Sequence, residues 1–205
     1  MSTTRPLQYG ETYHVYNRGN NRENIFIEEH NYRYFMNLYA KYIEQVADTS
    51  AYCLLRNHFH FLVRIRKEQD CQSSKDWQSF RRSFPVSPSR AFSNLFSTYT
   101  KAINKAYQRT GSLFEKPFRR KIVDNDSYFT NLVLYIHRNP EIHGFVEDFR
   151  DWPFSSYITI LSTEQTGILR AEILNWFGNK EEFTSFHMNE PDMQLIGDLI
   201  GDDEI

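Results

Sequence analysis

The run His58–Ile65 (HFHFLVRI) constrains the fold more than any other part of the sequence. In a β-strand, successive side chains point to opposite faces of the sheet. One face would therefore hold Phe59, Phe61, Val63 and Ile65, and the other would hold His58, His60, Leu62 and Arg64. The first set has the character of a core face packed on helices. We expect a sheet with helices on one face and both imidazoles on its open face.

Strand-like and helix-like segments alternate along the chain around this strand. The strand-like runs are Thr12–Asn17, Ala51–Leu55, His58–Ile65 and Arg119–Val123, and helical periodicity covers Glu29 to about Val46, Ser89 to about Tyr107 and a segment that Asp124 or Asp126 caps and Pro140 ends. The short break at Arg56-Asn57 predicts a hairpin between two of the strands. The order predicts an α+β fold, a ferredoxin-like βαββαβ antiparallel sheet with a final added helix.

Two other segments are expected to lie outside this sheet. Lys67–Pro88 is polar and punctuated by prolines, so it predicts a long loop. The chain after Pro140 contains the sequence WPFSSY, an amphipathic helix at Ile168–Phe177 and the acidic end GDDEI. We therefore divide the chain into a domain of residues 1–150 and a mostly helical C-terminal extension of residues 151–205.

Composition indicates an ordinary globular protein and excludes several other classes. Of the 205 residues, 40% are hydrophobic and 24% charged, which argues against disorder over most of the chain. The longest uncharged stretches are too short for a membrane span, and the first residues lack a secretory apolar core. A cytoplasmic location with no membrane partner is the expectation. Cys53 and Cys71 lack a CxxC spacing, so we expect reduced thiols.

The net charge of −2 conceals a strong asymmetry along the chain. Residues 1–140 hold 21 Lys or Arg against 12 Asp or Glu, whereas residues 141–205 hold 3 against 14. Between Arg81 and Lys121 there are ten basic residues and one acidic residue, Glu115. We refer to this segment as the basic stripe. It suits a polyanion, because each cation placed at a phosphate releases counterions. Charge alone equally allows a solvated surface with no partner.

Two pairs of side chains are candidates for chemistry. His58 and His60, held on a rigid strand, are good ligands for a divalent metal, although surface or hydrogen-bonded histidines fit the same pattern. Tyr135 and Asn139 lie four residues apart and share one face of the last helix. A phenol becomes a useful nucleophile near a cation, whereas a packed tyrosine on an amphipathic helix is the alternative.

These motifs together resemble one known family. The strand AYCLL precedes NHFHFLV, and GSLFEKPFRRKIVDNDSY, YIHRNPEIHGF and DWPFSSY follow in the same order and spacing as in that family. The chain resembles the REP-associated tyrosine transposases, within the single-tyrosine HUH superfamily. The resemblance covers about residues 8–157. It implies a ferredoxin-like fold and cleavage of single-stranded or hairpin DNA through a 5′-phosphotyrosine intermediate, with a free 3′-hydroxyl on the other product.

The resemblance also implies roles for individual residues. Mg²⁺ or Mn²⁺ would be held by His58 and His60, and Tyr135 takes the place of the family's nucleophile. Asn139 falls where the family has a polar third ligand, often Gln. Phosphate and amide oxygens would favour these harder ions over Zn²⁺, which imidazoles alone suit better. His137, two residues from Tyr135, is expected to face the other side of the helix and is excluded from the site.

Several polar residues are expected to contact DNA. They are Arg18 and Asn20 in the turn after the first strand, Arg64 beside the histidines, and Arg119, Arg120 and Lys121 on the last strand. An ordinary turn that needs glycine, or solvated residues at a strand edge, would explain them as well. The active unit would be a monomer or a homodimer. A non-catalytic descendant that binds repeat hairpins is the alternative function, and a Zn²⁺ hydrolase unrelated to DNA is a third.

Overall fold

The computed structural model describes residues 6–71, 87–194 and 197, and its centre is one antiparallel sheet. Its four strands are β1 (Thr12–Arg18), β2 (Ala47–Leu54), β3 (His58–Ile65) and β4 (Arg119–Ile122). They lie in the order β2-β3-β1-β4, and each neighbouring pair is antiparallel. With the helices around it, the sheet makes an α+β fold.

Seven α-helices lie within the described residues. They are α1 (Glu29–Tyr42), α2 (Glu68–Cys71), α3 (Pro88–Ala106), α4 (Asp126–Ile142), α5 (Ser156–Leu161), α6 (Arg170–Trp176) and α7 (Lys180–Phe186). Short 3-10 turns occupy Asn20–Arg22 and Phe149–Asp151. Within 6–71 and 87–194, no helix is long and apolar enough to span a membrane.

The predicted alternation along β3 is confirmed by the packing of its phenylalanines. The ring of Phe59 lies 5.5 Å from that of Phe35 on α1 and 5.4 Å from that of Phe96 on α3. Phe61 stacks on Tyr39 at 4.4 Å. These side chains are buried, so burial of their apolar surface holds α1 and α3 against this face of the sheet.

The opposite face of the sheet is not open, which corrects the expectation from the sequence. Helix α4 packs across β2 and β3 there, and it brings Tyr135 against His60. His60 is only 1% exposed as a result. Because α4 carries apolar residues around most of its circumference, it can be buried between the sheet and the C-terminal extension.

Most predicted boundaries hold within a few residues, and the exceptions have physical causes. Strand β2 begins at Ala47 rather than Ala51 because a bulge between Thr49 and Ala51 lets pairing continue. Helix α4 passes through Pro140 to Ile142, so the predicted stop is wrong. Proline removes only its own N–H bond, and the His143 N–H still donates to the Asn139 carbonyl.

The caps and the hairpin can be compared with the prediction in the same way. Asn125, rather than either aspartate, caps α4 by accepting from the Tyr128 N–H. Ser87 caps α3, and its hydroxyl accepts from the Arg90 N–H. The hairpin between β2 and β3 is confirmed, since the Leu55 N–H donates to the His58 carbonyl across Arg56-Asn57.

The C-terminal extension packs on the sheet and on α4. At the outer edge of β2, the Leu54 N–H donates to the Phe154 carbonyl, and Ser155 forms a bridge with Cys53. Helix α6 confirms the predicted helix at Ile168–Phe177 within two residues at each end. The expected loop at Lys67–Pro88 begins with α2, but residues 72–86 lie outside the described residues, as does the acidic end at 201–205.

Candidate active site

Three elements bring aromatic and amide side chains together on the α4 side of the sheet. Strand β3 contributes His58 and His60, strand β1 contributes His14, and α4 contributes Tyr135 and Asn139. The period of two along β3 and the four-residue spacing on α4 explain why each pair shares a face. The structure therefore brings together all four residues that the sequence predicted for the catalytic and metal site.

His58 is held by an amide on each side of its ring. Its Nδ1 lies 2.8 Å from Oδ1 of Asn57, and its Nε2 lies 3.0 Å from Oδ1 of Asn139. The Nδ2 atom of Asn139 is buried with no hydrogen-bond partner among the described residues. One edge of the ring is thus fixed by the turn before β3, and the other edge faces the polar residue of α4.

His60 is held by a third histidine. Nδ1 of His60 lies 2.9 Å from Nε2 of His14, and the two rings stack 5.1 Å apart. Nε2 of His60 is buried and has no partner in the described part of the chain. The rings of His58 and His60 are 5.2 Å apart, so two imidazoles stand side by side with Nδ1 engaged on each.

Burial keeps these imidazoles neutral. Burial and, to a smaller extent, the neighbouring His143 lower the pKa of His58 to about 4, and burial lowers the pKa of His60 well below 6.5. Burial also lowers the pKa of His14 to about 3, and Lys121 adds to that effect. Neutral imidazole is the form that binds metals. A buried imidazole nitrogen without a partner, as on His60, also fits a ligand.

A divalent ion fits this donor set only if oxygen ligands complete it. Within the described residues, no group of three or more His, Cys, Asp or Glu could hold an ion. The amide oxygen of Asn139, next to His58, is the third protein donor at hand. Two imidazoles and one amide leave positions for phosphate or water oxygens, which hard ions such as Mg²⁺ prefer.

Tyr135 lies directly beside this pair of imidazoles. Tyr135 and His60 make an edge-to-face contact, with their ring centroids 5.6 Å apart. Tyr135 is 1% exposed. In this state α4 and the sheet enclose the phenol together with the histidines.

Sequence reasoning missed three residues that support the site. They are His14, which contacts His60, Asn57, which contacts His58, and His143, whose ring lies 4.9 Å from that of His58. The alternation of TYHVYN contains a usable signal, because it places His14 and Tyr16 on one face of a strand. Pairing β1 with β3 would have put that face beside His60, since Tyr16 and His60 are register partners.

The six predicted DNA contacts are distributed over different parts of the surface. Arg18, Arg119 and Lys121 lie on the histidine side of the sheet, as their register with His58, Tyr16 and His14 requires, and the alternation along β3 places Arg64 there with His58 and His60. Arg120 lies on the other side, with its guanidinium 4.1 Å from the Phe118 ring and bonded to Ser89. Asn20 donates to the Ser112 carbonyl and so holds a loop.

Acidic partners already contact several of these arginines. Glu115 lies 2.6 Å from Arg18 and 3.3 Å from Arg119. Arg64 forms two bonds, of 2.7 and 3.0 Å, with Glu172 of the extension. Phosphates that bind at these positions would therefore compete with carboxylates.

The described part of the basic stripe borders a groove of about 790 Å³ between α3 and residues 111–118. Phe96, Phe114 and Phe118 line its walls, and Lys101 and Lys116 lie at the same groove. Arg81 and Arg82 of the stripe lie outside the described residues. His137 faces away from the site, as predicted, and contacts Ser156 and His187.

Comparisons with known proteins find relatives of this chain in sequence and in fold. No family model matches the chain. A protein of Haemophilus influenzae assigned as a REP-associated tyrosine transposase is 26% identical over 157 residues, which cover 74% of this chain and 73% of that protein. A solved structure of a REP-associated tyrosine transposase bound to a REP hairpin aligns with a TM-score of 0.57 at 18% identity, over 80% of this chain and 87% of the other. That structural likeness concerns the fold.

Proposed function

Because the chain is homologous to REP-associated tyrosine transposases, we propose that it is a metal-dependent endonuclease and strand transferase for single-stranded and hairpin DNA. The observation that carries the proposal is the placement of Tyr135 and Asn139 of α4 against His58 and His60 of β3. The strand order β2-β3-β1-β4 supports it, because it is the order expected of a ferredoxin-like βαββαβ sheet, with α4 as the added helix.

In this proposal, His58, His60 and Asn139 would hold Mg²⁺ or Mn²⁺. The bound ion would polarise the scissile phosphate and stabilise charge on the attacking oxygen. His14 and Asn57 keep the two rings oriented through their Nδ1 atoms, as supporting partners do in metal sites. Burial keeps the imidazoles of His58 and His60 neutral, so neither has to lose a proton at neutral pH before it can serve as a ligand.

Tyr135 supplies the nucleophile. Its phenol oxygen forms a bond to phosphorus while the bond from phosphorus to the 3′ oxygen breaks. The phenol proton passes to solvent, and the departing 3′ oxygen takes up a proton from solvent. The 5′-phosphotyrosine linkage is itself a phosphodiester. Attack by another 3′-hydroxyl on its phosphorus therefore rejoins a strand and releases Tyr135.

The basic side chains around the sheet would bind the DNA backbone. Arg18, Arg119 and Lys121 lie on the same side as the candidate nucleophile, and Arg64 joins them if phosphate displaces Glu172. Asn20 and Arg120 stay in the predicted set with smaller expected effects, because Asn20 holds a loop and Arg120 lies on the other side of the sheet. A DNA substrate agrees with the predicted cytoplasmic location, which stays a prediction.

One observation favours a second candidate function, a non-catalytic protein that binds DNA hairpins. Tyr135 is 1% exposed, so a phosphate cannot reach its phenol without movement of α4 or of neighbouring side chains. A protein that never opens would bind DNA through its basic residues and leave it intact. A search for a covalent adduct separates the two functions.

The test incubates the protein with 3′-end-labelled hairpin DNA that carries single-stranded flanks, in Mn²⁺, and resolves the products on a denaturing gel. We expect a labelled protein–DNA adduct that EDTA abolishes. Tyr135→Phe should lose the adduct while DNA affinity and thermal stability stay within error, because only one buried oxygen is removed. Tyr128→Phe is the matched control, a buried tyrosine two turns earlier on α4.

If Tyr135→Phe forms as much adduct as the parent, another residue is the nucleophile. DNA binding without any adduct, in the parent as in the variant, would support the non-catalytic alternative.

A further inference from the structure

Helix α4 presents a second set of polar residues, on the side away from the candidate active site. Tyr135 and Asn139 face the sheet, whereas His137 and Arg138 face the C-terminal extension. All four side chains are buried. The candidate nucleophile and the contacts of the extension therefore belong to one turn of one helix.

His137 lies at the centre of a buried chain of hydrogen bonds. Its Nε2 is 2.7 Å from Oγ of Ser156, and its Nδ1 is 2.8 Å from Nε2 of His187. Nδ1 of His187 is 2.7 Å from the Phe183 carbonyl oxygen. Ser156, His137 and His187 are each 0% exposed, so water does not compete for these bonds.

The Phe183 carbonyl fixes the direction of the whole chain. A carbonyl oxygen can only accept, so His187 must carry its proton on Nδ1 and present Nε2 as an acceptor. His137 then donates from Nδ1 to His187 and accepts at Nε2 from the Ser156 hydroxyl, whose single proton is directed at this nitrogen 2.7 Å away rather than at the Tyr52 carbonyl oxygen 3.2 Å away. The arrangement satisfies all four ring nitrogens with one set of tautomers and both rings neutral, in keeping with the burial that lowers both of their pKa values.

Both ends of this chain are attached to fixed parts of the molecule. Oγ of Ser156 accepts from the Tyr52 N–H of β2 at 2.8 Å, which ties the chain to the sheet. Beside it, Arg138 donates to the Asn189 carbonyl at 2.7 Å and pairs with Glu190 at 3.0 Å. The extension thus forms hydrogen bonds with two consecutive residues of α4, His137 and Arg138.

We propose that the C-terminal extension is a positioning element for the nucleophile helix, in which His187 and Ser156 act through His137 to set the rotation of α4. This rests on the proposed role of Tyr135. A rotation of about 10° moves an atom about 6 Å from a helix axis by about 1 Å. A displacement of that size at a reacting group lowers a rate by about 100-fold.

Directional bonds distinguish this role from simple packing. His187 is enclosed by Phe183, Phe177 and Tyr157, with ring centroids 4.1 to 5.9 Å away, and a leucine would keep much of that apolar contact. Leucine cannot accept from Nδ1 of His137. Glutamine places an amide oxygen near the position of Nε2 and can accept that bond. His187→Leu and His187→Gln are therefore a matched pair.

The experiment measures three quantities for the full-length parent, His187→Leu, His187→Gln and Ser156→Ala. They are hydrogen–deuterium exchange of α4 amides, the single-turnover rate of adduct formation at saturating DNA, and DNA affinity. In His187→Leu we expect α4 amides around residues 133–139 to exchange at least tenfold faster and the rate to fall 10- to 100-fold. DNA affinity should stay within twofold, and His187→Gln should recover most of both losses.

Unchanged α4 exchange in both His187→Leu and Ser156→Ala would overturn the proposal, as would equal losses in His187→Leu and His187→Gln. If His187→Leu is unfolded at the assay temperature, Ser156→Ala decides, because it removes the donor to His137 with little change in volume. Hydrogen–deuterium exchange can be measured whether or not the protein forms an adduct with DNA. Faster exchange in α4 with no adduct from the parent would retain the positioning role and reject Tyr135 as a nucleophile.

Discussion

At the scale of single residues, His14 matters as much to the proposed metal site as the two candidate ligands, His58 and His60. His14 contacts Nδ1 of His60 and stacks on Tyr16 with ring centroids 4.5 Å apart. If His60 held an ion through Nε2, its proton would be on Nδ1, and His14 would accept it. In the proposed metal site, His14 would therefore select the tautomer that can act as a ligand.

Replacing His14 tests this selection without any catalytic assay. His14→Phe keeps the stacking and removes the acceptor, so we expect Mn²⁺ affinity to fall by about 10- to 100-fold, the usual effect of losing a supporting partner. His14→Gln keeps an oxygen that can accept and should bind Mn²⁺ within a few-fold of the parent. Titration followed by the EPR signal of free Mn²⁺ gives both affinities. Parental affinity in His14→Phe would mean that His60 is oriented by packing alone.

At the scale of elements, β4 separates its three basic residues by face. Arg119 and Lys121 pair with Tyr16 and His14 on the histidine side, whereas Arg120 pairs with Val15 on the side of the α1 and α3 core. A single DNA strand that passes the candidate site would meet the first two and miss the third. The sequence alone treats the three as one basic group.

Salt dependence of DNA binding measures this separation. Each phosphate contact on single-stranded DNA contributes about −0.7 to the slope of log affinity against log salt. The double change Arg119→Gln with Lys121→Gln should flatten the slope by about 1.4, and Arg120→Gln should leave it unchanged. Fluorescence anisotropy at several salt concentrations, on variants that remain folded, provides the slopes. Equal flattening by Arg120→Gln would place the DNA along the opposite side of β4.

The same elements show how far the sequence could predict this fold. The alternation of β3 and the shared face of Tyr135 and Asn139 could be predicted because they follow from local periodicity, and the structure confirms both. The end of α4 was predicted wrongly because proline breaks only one bond when tertiary contacts continue the helix. His14 was missed because its role depends on β1 lying beside β3, a long-range pairing that no local pattern contains.

At the scale of the whole molecule, buried neutral histidines tie stability to pH. Burial lowers the pKa of His187 to about 4, against 6.5 for an ordinary histidine. Below pH 6.5 the unfolded chain binds a proton that the folded chain excludes until the pH reaches about 4. The folded state is therefore favoured fully above pH 6.5, and that advantage declines as the pH falls.

The contribution of His187 can be isolated by comparison with His187→Gln. Between pH 7 and pH 5, one such histidine lowers the free energy of unfolding by about 2 kcal/mol. The parent should therefore lose about 2 kcal/mol more than the variant over this interval, as urea denaturation at the two pH values would show. Parallel losses would indicate that His187 is protonated in the folded protein.

The bond between His137 and His187 also has a consequence in time, because it joins residues 50 positions apart in the chain. A ribosome adds about 5–20 residues per second, so roughly 3–10 s separate the synthesis of the two histidines. During that interval the residues of the strands and most of α4 have been synthesised, but the partner that orients α4 has not. On the proposed function, a chain that stops before residue 187 would therefore still carry the basic residues that bind DNA, yet it would cut that DNA more slowly than the complete chain.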